Sequence, residues 1–119
     1  MCFPIAKIGA LFSITTGAAI ALAITVLNTH DVRIARQLYA SLNPRDILLG
    51  DRAFCTYADL VLVQSHQADM VFRKHQSRKL EIREGKCLSQ HSQLVIWNKP
   101  NTCPHSISKS DLRRQLIAA

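Results

Sequence analysis

Aromatic residues are scarce in this chain, and acidic residues are outnumbered by basic ones. Phe, Trp and Tyr make up 6% of the 119 residues, so stacking on nucleic-acid bases is not an obvious mode of recognition. Eight Asp and Glu stand against 15 Lys and Arg, which gives a formal net charge of +7. This balance favours a polyanionic partner or an anionic membrane surface.

The cysteines lack the close pairing of a secreted disulfide scaffold, and the sequence contains no CxxC pair. The pattern favours reduced thiols in a cytoplasmic protein. A zinc site could be drawn from Cys87, His91, Cys103 and His105, because zinc accepts thiolate and imidazole ligands. Their spacing matches no common zinc finger, so the sequence favours free side chains over a metal centre.

The stretch from Ile8 to Leu27 carries no charged residue and is about long enough to cross a bilayer as a helix. Residues 13–17, Ser-Ile-Thr-Thr-Gly, interrupt it with β-branched and turn residues, and both flanks favour strands. We therefore predict a β-hairpin that turns at Thr16-Gly17. A small membrane protein that uses residues 8–27 is the alternative.

The segments after the hairpin alternate between helix and strand patterns. Apolar residues recur every three to four positions over residues 32–42, which predicts an amphipathic helix. Residues 47–50 predict a strand buried on both faces, as in a parallel sheet, and a second helix begins at the N-cap Thr56 and ends near His66. Residues 68–73 predict another strand. This order predicts an α/β fold with a mixed sheet.

Asp51 directly follows the predicted strand of residues 47–50. Ligands and catalytic groups collect at the carboxyl ends of such strands, so Asp51 is a candidate metal-binding acid. The alternative is a turn former or helix cap, which is the commoner role of an Asp after a strand.

A basic segment follows the last strand of this plan. Its cations are Arg73, Lys74, Arg78, Lys79, Arg83 and Lys86, relieved only by Glu81 and Glu84. Such runs are often solvated faces, but the net positive charge of the chain favours phosphate contacts, which position DNA without reading its sequence.

The remaining segments predict three more elements. Residues 93–97 predict a strand, residues 98–101 a turn, and residues 108–116 a short basic helix.

Several segments occur in the order found in DDE transposases of bacterial insertion sequences, and the chain resembles the IS-four family of that group. They are Cys2-Phe3-Pro4, the turn Thr16-Gly17, Thr29-His30-Asp31, and the runs at residues 50–57, 71–79 and 95–100. Several motifs in the right order are far more specific than any one of them.

The resemblance implies a ribonuclease-H-like mixed sheet with helices, here incomplete, plus the start of a β-rich insertion. In that family three acids hold two Mg²⁺ or Mn²⁺ ions for cleavage and transfer of DNA strands. Asp51 falls on the second acid, and Arg73, Lys74, Arg78 and Lys79 fall on a DNA-contacting strand and the insertion. The implied partners are transposon-end DNA and another transposase chain in the cytoplasm, with no membrane.

The other two acids of the family pattern are missing from this sequence. The first belongs to a strand upstream of Cys2-Phe3-Pro4, and the third to a downstream helix marked by Tyr, Arg, Glu and Lys. A lone carboxylate cannot hold two Mg²⁺ ions, so we expect an inactive fragment. Its expected divisions are a partial core (1–74), the start of the insertion (75–101) and a tail (102–119). The missing central strand also predicts an exposed sheet edge and dependence on another chain.

Overall fold

The structure, a computed structural model, describes residues 3–74, 86–97, 101 and 115–118. Within them the chain forms two α-helices and seven strands. In chain order these are β1 (Ala6–Phe12), β2 (Ala19–Val26), α1 (Asp31–Leu38), β3 (Ile47–Gly50), α2 (Tyr57–Ser65), β4 (Asp69–Phe72), β5 (Lys86–Ser89), β6 (Ser92–Trp97) and β7 (Gln115–Ala118). The order from β1 to β4 is the predicted one, and the α/β class is confirmed. The predicted single mixed sheet is not observed among the described residues, because the antiparallel hairpin and the parallel pair are separate sheets.

Strands β1 and β2 form an antiparallel hairpin, not a helix. Their pairing runs from Ala6 opposite Val26 to Phe12 opposite Ala19. At the turn, the backbone of Gly17 has a φ of 71°, which residues other than glycine rarely adopt. The Gly17 N–H donates a hydrogen bond to the Ser13 carbonyl at 2.8 Å. The predicted turn is therefore confirmed. No helix in the described part of the chain is long and apolar enough to span a membrane.

Strands β3 and β4 form a parallel pair connected through α2. Gly50 lies opposite Phe72 at the carboxyl end of the pair. Leu48 is buried, whereas Ile47 and Leu49 are 64% and 52% exposed. The prediction that this strand is buried on both faces is therefore wrong, because the helices cover one face and no described residue covers the other.

One layer of helices supports both the hairpin and the parallel pair. The main buried cluster consists of Tyr39, Leu42, Leu48, Val63 and Ala68. Leu11 of β1 packs against this cluster and also against a second one around Ile34 and Leu38 of α1. Gly9 permits the close approach of β1 to α1, since an added Cβ would lie 2.3 Å from Ile34 Cγ2.

The third sheet is antiparallel and contains β5, β6 and β7 in that order. Strand β6 confirms the predicted late strand. Its Trp97 packs edge to face on Tyr57 of α2, with ring centroids 5.7 Å apart. This contact joins the third sheet to the helix layer.

The tail has a partner that its sequence pattern did not reveal, because β7 pairs with β6. The predicted helix over residues 108–116 lies mostly outside the described residues. Where it overlaps them it is wrong, since Gln115 and Leu116 belong to β7. The predicted turn at residues 98–101 also lies outside the described residues, apart from residue 101.

Candidate functional site

Asp51 lies at the edge where the two parallel strands end. Gly50 and Phe72 are paired as the last residues of β3 and β4. Asp51 and Arg73 follow them directly and are therefore neighbours across the two strands. Both side chains are exposed, as is Lys74. The structure therefore places the predicted metal-binding acid and two of the predicted DNA-contacting cations at one edge of the sheet. The other two, Arg78 and Lys79, lie outside the described residues.

The Asp51 carboxylate caps the turn that follows it. Its Oδ1 accepts a hydrogen bond from the Arg52 backbone N–H at 2.7 Å, at the start of a 3-10 turn over Arg52–Phe54. Asp51 therefore has the capping role that the sequence offered as the alternative to metal binding. The bond fixes one carboxylate oxygen at the end of the strand, which orients the group for any ligand at this edge.

The described residues do not form a metal site by themselves. Among them, no group of three or more His, Cys, Asp or Glu side chains is close enough together to hold a metal ion. A pair of Mg²⁺ ions needs several anionic oxygens, and Asp51 supplies one carboxylate. The zinc alternative gains no support either: Cys87 is a free, exposed thiol and His91 is exposed, while Cys103 and His105 lie outside the described residues.

Two phenylalanine rings support the backbone next to Asp51. An added Cβ on Gly50 would lie 2.7 Å from Cε1 of Phe72, so the glycine lets this ring lie against β3. Phe72 packs edge to face on Phe54, at 6.5 Å between centroids, and Phe54 belongs to the turn that Asp51 caps. Sequence reasoning did not assign this supporting role, although a glycine ending an apolar strand signals a close approach.

Gly50→Ala is expected to displace the Phe72 ring and to lower the free energy of unfolding by about 1–3 kcal/mol, because the added methyl group overpacks this contact. Phe72→Leu makes the neighbouring side chain smaller and so leaves room for the new methyl group. In the Phe72→Leu background, Gly50→Ala should therefore cost much less unfolding free energy than it does alone. Urea unfolding of the four proteins completes a double-mutant cycle. Strictly additive losses would contradict the coupling.

Asp59 is a second important acid, and sequence reasoning did not single it out. Its side chain is fully buried at 0% exposure. It accepts hydrogen bonds from Arg36 Nε of α1 at 2.9 Å and from the Thr56 hydroxyl, while its own N–H donates to Thr56 Oγ1 at 3.1 Å. The Thr-x-x-Asp spacing of a capping box was the available signal. The predicted N-cap at Thr56 is confirmed.

These contacts give Asp59 a structural role. Its carboxylate joins α1 to the first turn of α2 and faces no open site. Burial first, and then the neighbouring Asp59 carboxylate, raise the pKa of the Tyr39 hydroxyl well above its usual value. Asp51, in contrast, is exposed at the sheet edge and is accessible to a ligand.

Asp51, Arg73 and Lys74 thus lie together at the carboxyl end of the parallel pair, which is where ligands of α/β sheets bind. Residues 3–115 match the family described as Transposase DDE domain. Since this match spans nearly the whole chain, the chain belongs to that family. Such domains generally use divalent metal ions. No curated protein and no solved structure matches the chain.

Proposed function

We propose that the chain is the central part of the catalytic domain of an IS-four-type transposase, with a ribonuclease-H-like sheet and Asp51 as one of its three metal-binding acids. Family membership supports transposition as the activity. The observation that carries the site is the position of Asp51, which ends a parallel strand next to Arg73. The order of elements along the chain, β1, β2, α1, β3, α2 and β4, supports the proposed sheet.

The same edge supports a DNA-binding role. Arg73 and Lys74 are exposed immediately after β4, where they can contact phosphates of a nucleic acid. By itself the 119-residue chain is expected to bind DNA without cutting it, because one carboxylate does not hold two metal ions. A non-catalytic DNA-binding remnant is the second candidate, and it would use these cations without Asp51.

Divalent ions distinguish the two candidates, because a site with few carboxylates binds such ions jointly with substrate phosphates. In Mn²⁺, the chain is expected to bind DNA several-fold more tightly than its Asp51→Asn variant. In monovalent salt of equal ionic strength the two should bind alike. Fluorescence anisotropy with a short duplex measures both affinities.

The matched control is Asp69→Asn, which removes an exposed carboxylate at the opposite end of the parallel pair. It should bind DNA as the unchanged chain does under both conditions. Equal binding by all three proteins in Mn²⁺ would favour the non-catalytic remnant. Mg²⁺-dependent nicking of plasmid DNA by the unchanged chain, lost in Asp51→Asn, would disprove the expected inactivity.

A further inference from the structure

Asp51 begins a short turn that leads to Thr56, the N-cap of α2. Backbone hydrogen bonds connect the two ends of this turn. The Phe54 N–H donates to the Asp51 carbonyl at 3.0 Å, and the Thr56 N–H donates to the Phe54 carbonyl at 3.0 Å. The orientation of the Asp51 backbone, and with it the direction of its carboxylate, therefore depends on where Thr56 is held.

The Thr56 side chain is held by Asp59. Its hydroxyl donates to the Asp59 carboxylate and accepts a hydrogen bond from the Asp59 N–H at 3.1 Å. A hydroxyl has a single proton to donate, so a rotation of the Thr56 side chain would break both bonds. The far end of the turn is therefore fixed to the Asp59 carboxylate.

Arg36 of α1, which precedes Asp59 by 23 residues, fixes this carboxylate. Its guanidinium contacts both oxygens, Nε with Oδ1 at 2.9 Å and Nη2 with Oδ2 at 3.5 Å. A planar guanidinium in this arrangement sets the direction of a carboxylate, whereas a Lys ammonium acts as a point charge. Asp59 is fully buried, so water does not compete for its oxygens.

Helix α1 is itself packed against both the turn and the hairpin. Ala35, next to Arg36, and Phe54 of the turn line one groove of about 270 Å³ between β1 and β3. Ile34 packs so closely on Gly9 of β1 that no Cβ fits there. Arg36 thus links the turn that starts at Asp51 to a helix whose position the hairpin fixes.

We propose that Arg36 is a positioning residue for Asp51. Through Asp59 and Thr56 it holds the turn that orients the Asp51 carboxylate at the carboxyl edge of the sheet, and it contacts no ligand itself. This role rests on the proposed function of Asp51 as a metal-binding acid. Misplacing a functional group by about 1 Å can lower a rate about 100-fold, so the hold on the turn matters for function.

Arg36→Lys tests the proposal, because it keeps the charge and removes the contact of one planar group with both oxygens. Arg33→Lys is the matched control, since Arg33 is exposed on the same helix. Hydrogen exchange followed by NMR should become several-fold faster at the Arg52 and Phe54 amides in Arg36→Lys and stay unchanged in Arg33→Lys. If Arg36 only stabilised the domain, exchange in β3 and β4 would speed up as much as in the turn.

Mn²⁺-dependent DNA binding is the second readout. Arg36→Lys is expected to lose most of the several-fold gain in affinity that Mn²⁺ gives the unchanged chain, and Arg33→Lys should retain it. In monovalent salt of equal ionic strength both variants should bind like the unchanged chain, because neither alters the net charge. Thr56→Ser keeps the hydroxyl and should keep the gain, whereas Thr56→Val should lose it.

Three results would overturn the positioning role: unchanged amide exchange in Arg36→Lys, a retained Mn²⁺ gain in that variant, or faster exchange throughout β3 and β4. A failure of the proposed function gives a different result, because the unchanged chain itself would then gain no affinity from Mn²⁺. Faster exchange confined to the turn in Arg36→Lys would still support the role of Arg36 in that case.

Discussion

Asp59→Ala is expected to lower the free energy of unfolding by about 3 kcal/mol, at the lower end for a broken buried ion pair, because Asp59 is fully buried whereas the Arg36 side chain is 28% exposed. The carboxylate is fully buried and receives hydrogen bonds from Arg36 and Thr56, so its loss leaves polar groups in the core without this acceptor. A loss of this size is a large part of the stability of a small domain. The variant should therefore unfold at a much lower urea concentration than the unchanged chain.

Another ion pair among the described residues provides a matched control. Lys7 and Asp31 are 3.0 Å apart, close to the 2.9 Å of Arg36 and Asp59, but the Asp31 side chain is 65% exposed. Asp31→Ala should cost at most about 1 kcal/mol, because water replaces much of the interaction. Urea unfolding followed by circular dichroism gives both values. Similar small losses in the two variants would contradict the structural role of Asp59.

The affinity for DNA is expected to fall roughly 100-fold when monovalent salt rises from about 50 to about 200 mM. Four cations are predicted to contact phosphates: Arg73, Lys74, Arg78 and Lys79. Each contact releases a condensed counterion, so the slope of log affinity against log salt should be about −3.6. Binding should depend little on sequence, because phosphate contacts carry no base information.

Replacing all four cations with Gln should remove most of this slope and weaken binding to two unrelated duplexes alike. The single change Arg73→Gln should lower the slope by about one unit. Arg33→Gln removes the same charge from an exposed position on α1 and should change the slope much less. Equal effects of the two single changes would mean that net charge, and not the proposed surface, drives binding.

The elements that the sequence predicted correctly are specified by residues close together in the chain. The turn at Gly17 needs a residue that tolerates a positive φ, and Thr56 caps α2 through the N–H of Asp59 three residues later. The position of Asp51 after β3 follows from the apolar run before it. Such local preferences are visible without any knowledge of the tertiary structure.

The failed predictions all depend on distant contacts. The pattern of residues 47–50 indicates a strand but not which faces are covered, and the structure leaves Ile47 and Leu49 exposed. Likewise, nothing within residues 115–118 indicates pairing with β6, because strand pairing joins segments that are remote in sequence. The buried pairing of Arg36 with Asp59 is equally remote, although the cap spacing hinted at Asp59.

By itself, the sequence determined the order of elements, the positive charge and the resemblance to DDE transposases, because these reside in composition, local periodicity and ordered motifs. Only the tertiary structure decided which acid is buried and which is exposed. It buries Asp59 between two helices and leaves Asp51 exposed at the carboxyl edge. It also sets β1 and β3 on either side of a groove. Burial and edge exposure arise from packing among distant segments, and no local pattern encodes them.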